Sequence, residues 1–227
     1  MTSRAAVTET VESKTGVLLE ARDVVFEYAP GQRVLDGWSA QFAAGTMTAL
    51  TGPSGRGKST LLYLLGLMLQ PKSGEITVEG EATSTSRDAT RARIRASTFG
   101  FVFQDAALDA TRTVLDNVVE TTLYRRERRA DATGRALALL EQFGVDVPPY
   151  RKPGQVSGGQ AQRIALCRAL LTEPRIVLAD EPTGNLDPSS AELVIGALRA
   201  YANSGAAVAL VTHSPDIAAT CDAEIRL

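Results

Sequence analysis

Thr46-Met-Thr-Ala-Leu-Thr51 runs directly into Gly52-Pro-Ser-Gly-Arg-Gly-Lys-Ser59, and a leucine-rich segment follows from Thr60. An apolar strand, a glycine-punctuated loop and a helix opening at Lys58 place G-x-x-x-x-G-K-[ST] in the one context that gives it meaning. The glycines let the backbone turn tightly and aim successive N–H groups at phosphate oxygens, and the new helix adds its positive dipole end. Gly52, Pro53, Ser54, Gly55, Arg56, Gly57, Lys58, Ser59 and Thr60 are therefore the candidate nucleotide-binding residues. Lys58 would reach the β- and γ-phosphates, and Ser59 would ligate Mg2+. The plain alternative is a glycine-rich turn with a solvated lysine, which the flanking strand and helix disfavour.

Composition bounds what surrounds this loop. The 227 residues carry 24 Lys+Arg against 26 Asp+Glu, a formal charge of −2, so there is no general pull toward nucleic acid and none is expected as a partner. Hydrophobic residues at 44% and charged residues at 22% exclude a disordered or fibrous chain. Cys167 and Cys221 make no disulfide framework and point to a reducing compartment. A single histidine, His213, excludes a multi-histidine metal site. The longest apolar run, Leu61 to Leu69, is far short of the about 20 residues that span a bilayer. Met1 to Gly16 is polar without an apolar signal core, and reads as a disordered tail. The expectation is a soluble cytoplasmic domain, which leaves room for service to a membrane.

Outward from the loop, strand-like segments are expected at Val17–Tyr28, Val34–Phe42 and Thr46–Thr51. The helix from Lys58 carries Leu61, Leu62, Leu64, Leu65 and Leu69 and should stop before Pro71. Gly74–Gly80 reads as a short strand, Glu81–Thr98 as polar and arginine-rich without a core face, and Phe99–Phe103 as a buried strand. Thr113–Arg126 and Ala130–Phe143 read as helices, the second packing through Leu137, Leu140 and the intervening alanines. After a proline-rich connector, Val145–Gly154, come a helix at Gly158–Leu171 and a strand at Ile176–Ala179. A helix at Pro188–Ala202, a strand at Ala206–Thr212, a short helix from Pro215 and a strand at Glu224–Leu227 complete the chain. Strands alternating with helices predict an α/β fold with a mostly parallel sheet, interrupted by a helical insert.

Two further motifs carry chemistry. Arg175-Ile-Val-Leu-Ala-Asp180-Glu181 is an apolar strand ending in two carboxylates. Asp180 would lie beside the phosphate loop and hold Mg2+. Glu181, one residue on, would polarise the water that attacks the γ-phosphate; the bland alternative is two acids capping a strand end. Val156-Ser-Gly-Gly-Gln160 opens a helix with a hydroxyl and free N–H groups, a second phosphate-binding turn in a chain that already has one. Two such turns imply a nucleotide held between two copies.

Val156 to Gln160 resembles the LSGGQ signature of ABC-type ATPases with Val replacing Leu, and the order of motifs from about Val17 to the C-terminus is similar to that family. The resemblance implies a P-loop NTPase core, an N-terminal antiparallel β subdomain and an inserted helical subdomain. It divides the chain into a tail at 1–16 and one ABC ATPase domain at 17–227, with the core at about 17–98 and 173–227 and the insert at about 99–172. It also implies ATP and Mg2+ as ligands and a head-to-tail dimer. Each ATP would lie between the phosphate loop of one copy and Ser157, Gly158, Gly159 and Gln160 of the other. Tyr28 looks like the aromatic that stacks on adenine, and Gln104 like the glutamine that senses Mg2+ and water. Asp187 in Asn185-Leu-Asp187 resembles a residue crossing the dimer interface, and His213 the histidine that contacts the γ-phosphate.

Glu181-Pro-Thr-Gly-Asn-Leu-Asp187 and Phe99-Gly-Phe-Val-Phe-Gln104 look most like the bacterial macrolide-exporter and lipoprotein-releasing group. There the ATPase docks on a separate transmembrane permease, which implies an export motor on the inner face of the cell membrane. The alternative is a cell-division ATPase that signals mechanically through a permease-like partner. Asp105-Ala-Ala-Leu-Asp109-Ala-Thr-Arg112 departs from the group's usual text where the permease would dock, and the chain stops at Leu227 where relatives continue with a turn and a strand. Arg125-Arg-Glu-Arg-Arg129 reads as a solvated helix end, the alternative being contact with anionic lipid or an acidic permease loop. A chromosome or DNA-repair ATPase would need a long coiled coil between Lys58 and Ser157, and no heptads occur there.

Overall fold

A computed structural model describes residues 16–125 and 127–227. The tail expected at 1–16 lies outside the described residues up to residue 15. Gly16 is already anchored, its carbonyl accepting from the Ala44 amide at 3.0 Å. Two sheets build the molecule. In the first, β1 (Val17–Glu27) pairs antiparallel with β2 (Arg33–Ala43) on one edge. On its other edge β1 pairs antiparallel with β4 (Ser73–Val78), which turns into the two-residue β5 (Glu81–Ala82). The second sheet holds β3 (Met47–Thr51), β6 (Phe99–Val102), β7 (Ile176–Asp180), β8 (Ala207–Val211) and β9 (Ala223–Arg226) in the order β6-β7-β8-β3-β9. Every pair in it is parallel. Strands β7 and β8 are buried at every position, as expected of unbroken apolar runs covered on both faces. The α/β class, the antiparallel N-terminal sheet and the parallel core sheet are thus as the sequence led us to expect.

Helix α1 (Lys58–Leu65) packs beneath β7 and β8. It ends six residues short of Pro71, where the backbone leaves the helix at Gly66 and Leu67, and Gly66 is where the Phe101 ring comes to rest. A Cβ at Gly66 would lie 2.5 Å from that ring, and Leu67 then turns left-handed. Leu69 therefore packs from a loop. Helix α2 (Asp88–Thr98) is the polar, arginine-rich segment, and only its last residue is buried. Strand β6 was counted with the helical insert, yet it pairs with β7 inside the parallel sheet, so the helices begin after it.

Helices α3 (Val114–Leu123), α4 (Arg129–Gln142) and α5 (Gly158–Leu170) pack on one another around Val114, Val118, Ala132, Ala136, Ile164 and Leu166. The packing face of α4 is Ala132, Ala136 and Leu140, an i, i+4 row; Leu137 falls one step off it and is 40% exposed, contrary to its expected core role. Arg126 lies outside the described residues. The rest of the basic run is engaged within the chain: Arg125 with the Thr172 carbonyl, Arg128 with Asp131 and Arg129 with Asp116. Helices α6 (Pro188–Asn203) and α7 (Pro215–Ala219) complete the core.

The junction between β6 and α5 leaves no room at Gly100, where a Cβ would lie 2.5 Å from the Ala169 carbonyl oxygen and 2.8 Å from the Pro174 ring. Gly100→Val should therefore lower stability by about 2–3 kcal/mol through forced displacement of backbone. Urea denaturation of the purified variant reads this directly.

Candidate active site

The parallel sheet directs the C-terminal ends of β3, β6, β7 and β8 to one edge, where open α/β sheets place ligands. β3 delivers the phosphate loop. Gly57, with φ of 87°, caps α1 in a left-handed conformation, and a Cβ there would overlap Val34 at 2.3 Å. Both constraints demand glycine. Lys58 is only 6% exposed, and its ammonium donates to the carbonyls of Gly52 at 2.9 Å and Pro53 at 3.0 Å. Pro53, Ser54, Gly55 and Arg56 stay exposed, leaving their backbone accessible. Tyr28, 61% exposed, stands edge-on to Phe26 and shares a hydrogen bond of 2.9 Å with the Thr60 hydroxyl, so the aromatic lies beside the loop.

β7 delivers the acids. Asp180 is 6% exposed, and burial pushes its carboxyl up against the opposing pull of the Ser59 hydroxyl, Lys58 and His213. Glu181 sits at φ 44°, a left-handed conformation uncommon for a side-chain-bearing residue, with its amide bonded to the Val211 carbonyl of β8 at 3.0 Å. That kink turns the two neighbouring carboxylates apart. His213, just beyond β8, lies with Nε2 2.6 Å from Glu181 Oε1.

A cavity of about 520 Å³ lies between these elements, lined by Ser59, Tyr63, Gln104, Asp105, Asp180 and Asn185 among others. Ser59, Gln104 and Asp180 thus share one wall-to-wall space although they come from α1, the end of β6 and β7. Among the described residues no group of three or more His, Cys, Asp or Glu is arranged to hold a metal. The donor set of one carboxylate, one hydroxyl and one amide oxygen fits Mg2+, a hard cation that takes few protein ligands and completes its shell from phosphates and water. A buried carboxylate also gains from a cation beside it.

Ser157 to Gln160 do not line this cavity. Ser157 caps α5: its hydroxyl accepts from the Gln160 amide at 3.2 Å while the Gln160 side-chain oxygen accepts from the Ser157 amide at 2.8 Å. Ser157 and Gly158 are exposed at the start of α5 and Gly159 and Gln160 are half-buried, with Gly158 offering an N–H of the kind helices leave unpaired. Beside it, Asp187 caps α6 by accepting from Ser190 N at 3.0 Å and from the Ser189 hydroxyl, and these bonds hold its carboxyl well below the usual range. A Cβ on Gly159 would touch Ser190 Oγ at 3.0 Å, so signature turn and Asp187 form one surface.

The ABC transporter family model matches residues 35–184. The chain is 42% identical over 205 residues to the lipoprotein-releasing system ATP-binding protein LolD of Bordetella avium, covering 89% of each chain. To the protein of the same name from Nitrobacter hamburgensis it is 39% identical over 209 residues, 90% of each. The chain belongs to the ABC transporter ATP-binding family. Among solved structures, the dimeric bacterial ABC transporter cassette MJ0796 matches with a TM-score of 0.86 at 31% identity, over 92% of this chain and 94% of that one. The same cassette in a post-hydrolysis dimer bound to ADP and Pi gives 0.82 at 30% identity, over 92% and 94%. This ABC cassette is an ATPase.

Three side chains that hold the site together went unread in the sequence of this ABC ATPase. Gln162 and Arg168 are buried on α5, and Asn117 is buried on α3. All three bond backbone groups in or flanking the loop after Gln104: Gln162 at Phe103, Arg168 at Ala106 and Ala107, and Asn117 at Asp109. The available signal was polarity on the packed faces of otherwise apolar helices. Cys167 is fully buried, and burial pushes its thiol up to about 12.

Proposed function

We propose that this ATPase is the motor subunit of a membrane export system. In this reading two copies close head to tail on two ATP molecules and drive a separate transmembrane permease that releases a lipoprotein from the membrane. The observation that carries it is the division of the site. Ser59, which closes the phosphate loop, lines one cavity with Gln104 and Asp180, while the signature turn lies off that cavity at the start of α5 with helix N–H groups free for a phosphate. A signature turn that stands apart from the cavity of its own Ser59 and Asp180 is suited to serve a second copy's. The name of the curated relatives, lipoprotein-releasing system ATP-binding protein, supports the cargo class. No helix among the described residues is long and apolar enough to cross a membrane. The proposal accordingly places the chain on the cytoplasmic face, held there by its permease.

Each residue has a role in this reading. Tyr28 stacks on adenine, and Gly52 to Thr60 surround the phosphates with backbone N–H groups. Lys58 exchanges its loop carbonyls for β- and γ-phosphate oxygens, so that its ammonium faces ionised acceptors in place of neutral ones. Ser59, Gln104 and Asp180 would hold Mg2+, which would supply positive charge beside the phosphates. Glu181 orients and polarises the attacking water. His213 stands against Glu181 and reaches the γ-phosphate, and Asp187 meets the second copy. Closure on ATP and reopening after hydrolysis supply the stroke.

The test is reconstitution of the chain in vesicles with its permease and a triacylated lipoprotein. ATPase rate should rise severalfold with the permease and again with the lipoprotein. Stimulation by the permease but not by any lipoprotein would redirect the cargo assignment, and no stimulation by the permease would refute the motor role.

A further inference from the structure

The loop after Gln104 is held in an unfavourable shape by a buried cation. Ala106 and Ala107 are consecutive residues at φ 60° and 45°, where an L-residue crowds its own Cβ against the next carbonyl. Two such residues in a row persist only when the surroundings impose them. Arg168, 9% exposed, does so: one terminal nitrogen donates to the Ala106 carbonyl at 2.8 Å and the other to the Ala107 carbonyl at 2.7 Å. A rigid planar fork meets the two neighbouring carbonyls with one terminal nitrogen each and so fixes their spacing, which the single nitrogen of a lysine on its flexible stem does not. Buried cations are ordinarily paired with carboxylates; here both hydrogen bonds go to backbone oxygens.

The same helix grips the loop from the other side. Gln162 donates its amide to the Phe103 carbonyl at 2.9 Å. Gln104 therefore stands between two anchors, both on α5, whose first turn is the signature Ser157 to Gln160. We propose that Arg168 is a positioning residue for Gln104: by fixing the Ala106–Ala107 turn it sets where the Gln104 amide stands beside Ser59 and Asp180. It also makes α5 a rigid link between the signature turn and the metal side of the nucleotide site. This rests on the reading of Gln104 as a Mg2+ ligand given above.

The test compares R168M, R168K, Q104A and the double variant R168M/Q104A. ATPase activity of each purified chain is measured across a Mg2+ titration, alongside its affinity for Mg2+-free ATP and its melting temperature. For folded R168M, kcat should fall about tenfold and the Mg2+ needed for half-activation should rise severalfold, with Mg2+-free ATP affinity unchanged within about twofold. On the Q104A background R168M should cost less than about twofold more, because the group it positions is already gone. R168K keeps the charge without the fork and should fall between; it carries the test if R168M does not fold. A full multiplicative loss on the Q104A background, or an unchanged Mg2+ requirement in R168M and R168K, would overturn the positioning role alone. If Q104A itself leaves both kcat and the Mg2+ requirement intact, the reading of Gln104 falls first and this inference falls with it.

Discussion

Lys58→Ala should bind ATP about a hundredfold more weakly than the unaltered chain, close to a loss of binding at working concentrations. A charged hydrogen bond to phosphate is worth about 1.5–3 kcal/mol, and one ammonium would serve two phosphates here. The structure adds a second contribution. Lys58 is buried and ties the carbonyls of Gly52 and Pro53 together, so its removal also frees the loop that must surround the phosphates. Lys58→Arg would not restore binding, since a wider planar head does not fit the space of a compact ammonium. Titration calorimetry with a non-hydrolysable ATP analogue measures the change. Equal affinities for the variant and the unaltered chain would refute the phosphate-loop assignment.

Glu181→Gln should behave in the opposite way, retaining ATP while losing turnover. The amide oxygen of a glutamine can still accept from His213 Nε2, now 2.6 Å from the carboxylate, so the local arrangement survives. What disappears is the negative charge that orients and polarises water, and general-base loss costs about 10²–10⁴ in rate. ATP affinity should stay within a few-fold. Steady-state phosphate release read beside nucleotide affinity separates the two quantities, and near-normal release would remove Glu181 from the chemistry. Its left-handed backbone makes a second substitution informative: Glu181→Gly relieves the φ of 44° and should lose turnover without losing stability.

Local spacing makes most of the candidate site legible. The phosphate loop, the Asp180–Glu181 pair and the signature turn each announce themselves within a few residues, because phosphate-binding backbone needs glycine and helix starts at fixed offsets. The antiparallel N-terminal sheet and parallel core followed from alternation and from resemblance. What the sequence hid depends on partners far along the chain. Residue 66, at the end of α1, must be glycine because Phe101, from β6, occupies the space a Cβ would need. Leu137 is exposed because α3 and α5 meet the alanine row of α4 instead. Phe99–Val102 belongs to the sheet because β7, over seventy residues later, is there to pair with it. The grip of Arg168 on Ala106 and Ala107 spans 61 and 62 positions and leaves no periodic trace. The residues proposed to bind phosphate stand in readable motifs, and the residues that hold them in place do not.

That a nucleotide is held between two copies can be read most directly from mass. Sedimentation equilibrium of Glu181→Gln should show a 24.1 kDa monomer without nucleotide and a doubling of that mass with Mg2+ and ATP. Adding Ser157→Arg to the same chain should abolish the doubling, because the bulky cation blocks the signature turn against the phosphates. A chain that remains at 24.1 kDa with ATP, or one that dimerises regardless of Ser157, would mean that the signature turn does not complete a second copy's site.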